Sequence, residues 1–166
     1  VGVDRASGGK ILLQSVKAGN FEVRLQQQTN WCWVASALSV ADYRSRVTDF
    51  GQQCTMYDRV KQSKDSCTYK EREAPASHNN TGWPGGPLHV SGYLASESKV
   101  AAEWAQVKAE TEANRPIICI INWKGGGGHA VVLSFAYESG TQKMVVIDDP
   151  FTGSRSVISY DTFKSA

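Results

Sequence analysis

Three side chain types that together support acyl transfer stand far apart in this 166-residue chain: Cys32, His129 and an aspartate at 148 or 149. A thiol attacks as its thiolate. It therefore needs a base to take its proton, a group to orient that base, and donors for the oxyanion formed at the attacked carbonyl. Cys32 lies in the run Gln26-Gln27-Gln28-Thr29-Asn30-Trp31-Cys32-Trp33-Val34-Ala35-Ser36. His129 directly follows Gly125-Gly126-Gly127-Gly128, a stretch without side chains that lets a substrate backbone come close. Asp148-Asp149-Pro150 closes the next apolar stretch, so a hairpin brings either carboxylate beside His129. The two aspartates project to opposite faces of a strand, and spacing does not choose between them. Nor does it choose among Gln26, Gln27 and Gln28 as a side-chain donor to the oxyanion beside the Cys32 backbone N–H.

The remaining candidates are weaker. Cys119, inside Ile117-Ile118-Cys119-Ile120-Ile121, reads as core. Cys54 and Cys67 are free thiols, or a local disulfide if the protein is exported. Cys54, Cys67, His78 and His89 lack the compact ligand pair of a zinc site, so no metal is expected and both histidines read as solvated loop residues. The glycine run is no phosphate loop, because no Gly-Lys-Ser/Thr follows it. Trp31, Trp33 and Trp123 read as wall and core, with Trp33 a candidate to shield the acid–imidazole contact from water. Asn79-Asn80-Thr81 is a glycosylation sequon by letter, meaningful only in a eukaryotic secretory setting.

The elements that must position these groups are legible in outline. Thr29 and Asn30 are good N-caps, and Val34, Ala37, Leu38 and Ala41 keep amphipathic spacing, so a helix is expected from Cys32 to about Arg46. Cys32 then sits in the first turn, where unpaired N–H groups and the positive end of the dipole favour an anion. Ile11-Leu12-Leu13 and Phe21 to Leu25 read as short strands, and Thr55 to Lys61 as a short helix. Pro75 to Pro87 reads as an irregular excursion, and Ser98 to Asn114 as a third helix closed by Pro116. Ile117 to Trp123, Ala130 to Tyr137, Met144 to Ile147 and Ser156 to Tyr160 read as strands. Helices first and an antiparallel sheet second is the α+β layout, with the Cys32 helix packed on the sheet.

Composition bounds the rest. One domain over residues 1–166 is expected, with residues 1–10 a loose lead-in. A net charge of +2 argues against nucleic acid or an anionic membrane surface as partner, and no apolar run reaches the roughly 18 residues of a membrane span. Val1-Gly2-Val3-Asp4 lacks the basic and apolar regions of a signal peptide, which points to a mature, truncated or otherwise exported chain.

Gln26, five residues and then Cys32-Trp33, followed by Gly128-His129-Ala130 and Asp149-Pro150, resembles the pattern of papain-like cysteine peptidases. The compact bacterial branch typified by AvrRpt2 and the related C39-like peptidases is the nearest resemblance, and Asn30-Trp31-Cys32-Trp33-Val34-Ala35 is its most specific piece. Papain itself has Cys-Gly-Ser-Cys-Trp and an orienting asparagine, where this chain has Thr29-Asn30-Trp31-Cys32-Trp33 and an aspartate. The resemblance implies a papain-like fold and endopeptidase activity without a cofactor. It places the oxyanion glutamine at Gln26 and the orienting acid at Asp149. It further implies a monomer acting on a protein or peptide substrate, a secreted effector or toxin-type protease, with delivery into a host or target cell one route. The same apparatus serves deamidases, transglutaminases and cell-wall amidases, and a retired scaffold would keep the fold as a binding module.

Overall fold

The computed structural model describes residues 20–45 and 51–165. The expected Ile11–Leu13 strand and the helix end at Arg46 lie outside them. Helix α1 (Cys32–Ser45) is followed by α2 (Gln53–Lys61), α3 (Gly85–Ser91) and α4 (Trp104–Glu112). Strands β1 (Ile117–Asn122), β2 (Gly128–Ser139), β3 (Gln142–Asp148) and β4 (Arg155–Ser159) come next, and α5 (Tyr160–Lys164) closes the chain. The strands form one antiparallel sheet in the order β1-β2-β3-β4. The α+β layout is as the sequence implied.

The central strands owe their place to two apolar faces. Val131, Leu133, Val145 and Ile147 pack with Val107 of α4 and Tyr160 of α5. Ala130 and Val132 face the other way, toward Trp31, Val34 and Leu38 in one cluster and Phe21 and Val40 in another. A register shift between Leu133 and Phe135 inserts Ser134 as a bulge. The extra residue reverses the parity of β2, so Ala136 continues the face begun by Val131 and Leu133.

Helix α1 departs from its amphipathic reading. Every residue from Trp33 to Ala41 is buried, because the sheet, α2, α3 and the run before the helix wrap it on all sides. Its two buried serines are satisfied: Ser36 Oγ donates to Ala130 O at 3.3 Å and Ser39 Oγ to Ala35 O at 2.7 Å. Such satisfaction keeps buried hydroxyls from costing stability.

Other boundaries are corrected. Phe21 to Leu25 joins no sheet; it is held by Arg24 N donating to Ser39 Oγ at 2.9 Å and by Arg24 gripping both oxygens of Asp42. Helix α3 arises where Gly and Pro suggested only loop. Pro87 stands in its first turn, where a missing N–H leaves no intrahelical bond unmade, and His89 is therefore helical. Helix α4 starts at Trp104 rather than Ser98, because Glu103 and Gln106 form a capping box. Ser159 caps α5, so β4 stops before Tyr160.

Candidate active site

Cys32 is the first residue of α1. Thr29 and Asn30 do not cap the helix. Asn79 Nδ2 donates to Thr29 Oγ1 at 2.7 Å, and the Asn30 N–H donates to Asn79 Oδ1 at 2.9 Å. The cap position falls to Trp31, whose carbonyl accepts from Ala35 N at 2.9 Å. Trp31 is fully buried and stacks on Tyr57 of α2, with ring centroids 4.7 Å apart. The thiol thus emerges from a helix start fixed by packing and by the Asn79 loop, and Ala130 N donates to Cys32 Sγ at 3.4 Å. That bond ties the sulfur to the residue after His129.

His129 pairs across the sheet with Ile121, near the mouth of the β1–β2 hairpin. Its Nε2 bonds Asp149 Oδ1 at 2.6 Å, and the Phe151 N–H donates to the same oxygen at 2.8 Å. Nδ1 is the ring nitrogen that Asp149 leaves for Cys32. The neighbouring Cys32 side chain, then Asp149, outweigh the burial that disfavours a charged ring and raise the His129 pKa to about 9. The ring is 18% exposed and the carboxylate 28%, so the pair is neither sealed nor freely hydrated.

The doubled aspartate separates cleanly. Asp148 lies opposite Val132 and shares its α1-facing side, where it is almost wholly buried. Its Oδ1 accepts from Arg155 Nε at 2.7 Å and its Oδ2 from Ser134 Oγ at 2.5 Å. Asp149, one residue on, turns the other way and meets His129.

The three glutamines also separate. Gln28 is a strut: its Nε2 donates to Lys70 O at 2.8 Å and its Oε1 accepts from Ala74 N at 3.1 Å. The Gln27 N–H donates to Gln53 Oε1 at 3.0 Å. Gln26 Nε2 donates to the carbonyls of Gln28 and Thr29, both at 2.8 Å. Its Oε1 is the one buried side-chain polar atom without a partner among the described residues. The Gln26 N–H donates to Pro150 O at 2.8 Å, joining this run to the turn that carries Asp149.

Cys54 and Cys67 form a disulfide. Burial pushes the Cys119 thiol up to about 12, so it stays protonated. Trp33 does not shield the imidazole. It packs against Tyr57 and donates to Asn80 O at 3.2 Å, whereas Phe151 stands edge-on to His129 with centroids 6.4 Å apart. Sequence reasoning missed Phe151; an aromatic two residues past Asp149, directly after Pro150, was its signal. Among the described residues, no cluster of His, Cys, Asp and Glu has the makings of a metal site, and no helix is long and apolar enough to cross a membrane.

Residues 16–166 match the model of a family described as papain-like cysteine protease AvrRpt2. No curated protein matches the chain.

Proposed function

The chain belongs to the papain-like cysteine protease AvrRpt2 family, and from that premise we propose how its own residues hydrolyse a peptide bond. Cys32 attacks the substrate carbonyl as a thiolate. His129, protonated by that thiol, gives its proton to the departing amine as the C–N bond breaks and an acyl-enzyme forms. It then takes a proton from the water that releases the acid and frees the sulfur. Asp149 holds the ring with Nδ1 toward Cys32 and stabilises the imidazolium. The observation that carries this reading is the His129 ring held by Asp149 at 2.6 Å while Cys32 Sγ is bonded, at 3.4 Å, to the N–H of the adjacent Ala130.

The oxyanion is assigned to the Cys32 backbone N–H, in a helix turn whose amides have no intrahelical acceptor, and to Gln26. Gln26 meets a geometric condition here. Both Nε2 protons point at the Gln28 and Thr29 carbonyls, so one must swing toward the developing charge during the reaction. The Cys54–Cys67 disulfide supports a secreted protein, delivered to its target through an oxidising compartment.

Digestion of an unstructured protein by the wild type and Cys32→Ala, with products read by mass spectrometry, tests the reaction. Hydrolysis leaves new carboxyl and amino termini in wild type, and Cys32→Ala leaves the substrate whole. Cleavage by the folded alanine variant would overturn the assignment of the nucleophile. Amide groups converted to acids, or joined to amines, would move the chemistry to deamidation or transglutamination.

A further inference from the structure

Behind the triad acid lies an ion pair, its carboxylate buried and its guanidinium partly exposed, that the proposed reaction does not use. Asp148 and Arg155 are register partners across β3 and β4, and they close the neck of the turn that carries Asp149, Pro150 and Phe151. Both Asp148 oxygens are engaged, one by Arg155 and one by Ser134. The β2 bulge falls at Ser134, the residue whose hydroxyl reaches Asp148. The second arm of the guanidinium donates from Nη2 to Phe21 O at 2.6 Å. From Phe21 the chain runs to Gln26, whose N–H returns to Pro150 O at 2.8 Å inside that same turn. The contacts close a ring through Asp149, Asp148, Arg155, Phe21, Gln26 and Pro150.

We propose that Arg155 is a positioning residue, aiming Asp149 at His129 through Asp148 and holding the Gln26 run through Phe21. The inference rests on the reading of Cys32, His129 and Asp149 as the reacting groups. Successive side chains of a strand alternate, so a carboxylate fixed at both oxygens on residue 148 sets the direction in which residue 149 leaves the strand. Within the turn, Asp149 N donates to Ser154 O at 3.0 Å and Gly153 N to Asp149 O at 2.8 Å. These bonds tie the turn to itself. The orientation of the turn on the sheet comes from the pair at its neck. Asp148 is almost wholly buried, and without the guanidinium its Oδ1 loses its partner, so the neck is freed. The Asp149 carboxylate then loses its aim, and misplacement of a reacting group by about 1 Å can cost about 100-fold.

Steady-state pH profiles of Arg155→Met, Arg155→Lys and Ser134→Ala test this, with each rate divided by the number of Cys32 sites titrated by alkylation. Arg155→Met is expected to lower kcat by about 10- to 100-fold with KM little changed. Its alkaline limb should move down by about one pH unit, since a misaimed Asp149 no longer favours the imidazolium. Arg155→Lys puts a cation back beside Asp148 and returns the limb toward wild type. Ser134→Ala, which removes one hydroxyl and keeps the fold, shifts kcat and the limb the same way by less; it carries the test alone if Arg155→Met does not fold. Wild-type kcat per site and a wild-type limb in these variants, with only thermal stability lowered, would overturn the proposal. Turnover by Cys32→Ala would instead sink the catalytic reading beneath it, whatever the Arg155 variants do.

Discussion

Asp148 and Asp149 are neighbours of one chemical type, yet only Asp149 meets the imidazole; strand alternation sends Asp148 to Arg155 and Ser134. The glutamines divide in the same way. Gln28→Ala strands Lys70 O and Ala74 N, and is expected to lower stability by about 1–3 kcal/mol while leaving kcat per folded enzyme near wild type. Gln26→Ala strands two carbonyls as well, and is expected in addition to lower kcat per folded enzyme by about 100-fold. Urea unfolding set beside active-site-normalised rates separates the two. The His129 shift fixes a pH dependence. Its folded pKa, about 9, lies above the ordinary 6.5, so the imidazolium survives to that pH and is lost above it. Proteolysis should therefore fall through an alkaline limb near 9, and the pairing adds stability that is complete below about 6.5 and gone once pH passes the folded value. A profile flat to pH 10 would contradict it. The register of these residues was legible in part. The order of Cys32, His129 and the acid doublet stands in the sequence, but the choices of Asp149 and Gln26 came from family resemblance. Nothing in the letters shows that both Gln26 Nε2 protons are already engaged.

Two elements carry most of the positioning, and the first departs from its sequence reading. Thr29 and Asn30 look like helix caps, but Asn79, about fifty residues later, claims both, and packing of Trp31 starts the helix instead. Long-range bonding overrode a local preference. The second element is the loop from Ser66 to Ala74, which grips Gln27 and Gln28 from outside: Arg72 N donates to Gln27 O at 2.8 Å. The Cys54–Cys67 disulfide, 13 residues apart, anchors the start of that loop to α2. The Cys54→Ser/Cys67→Ser double variant is therefore expected to lose about 2–3 kcal/mol, read as a lower urea midpoint. An unchanged midpoint would show that the loop holds without its clasp. The disulfide was open from sequence, because cysteine spacing does not reveal whether two thiols meet. Helix α3 was hidden because Pro84-Gly85-Gly86-Pro87 carries strong turn signals, although proline suits a first helical turn.

At the scale of the whole molecule, the α+β plan was legible because the second half is a series of dense apolar stretches separated by turns, with registers that local pattern sets well. The Phe21 to Gln26 run was not. It alternates like a strand, yet side chains from α1 and β4 and a carbonyl of the β3–β4 turn hold it, and those contacts are invisible until the two halves meet. The candidate site lies at that meeting: Cys32 comes from the first described element of the helical half, His129 and Asp149 from the sheet and its β3–β4 turn. Function should thus report on both halves through one atom. The most direct measurement is titration of the native protein with iodoacetamide at neutral pH, with the modified residue mapped by mass spectrometry and proteolysis followed in parallel. Activity is expected to fall in strict proportion to Cys32 modification and to reach zero when it is complete, while Cys119, held protonated with a pKa of about 12, stays unmodified. Proteolysis that persists in protein fully alkylated at Cys32 would contradict it.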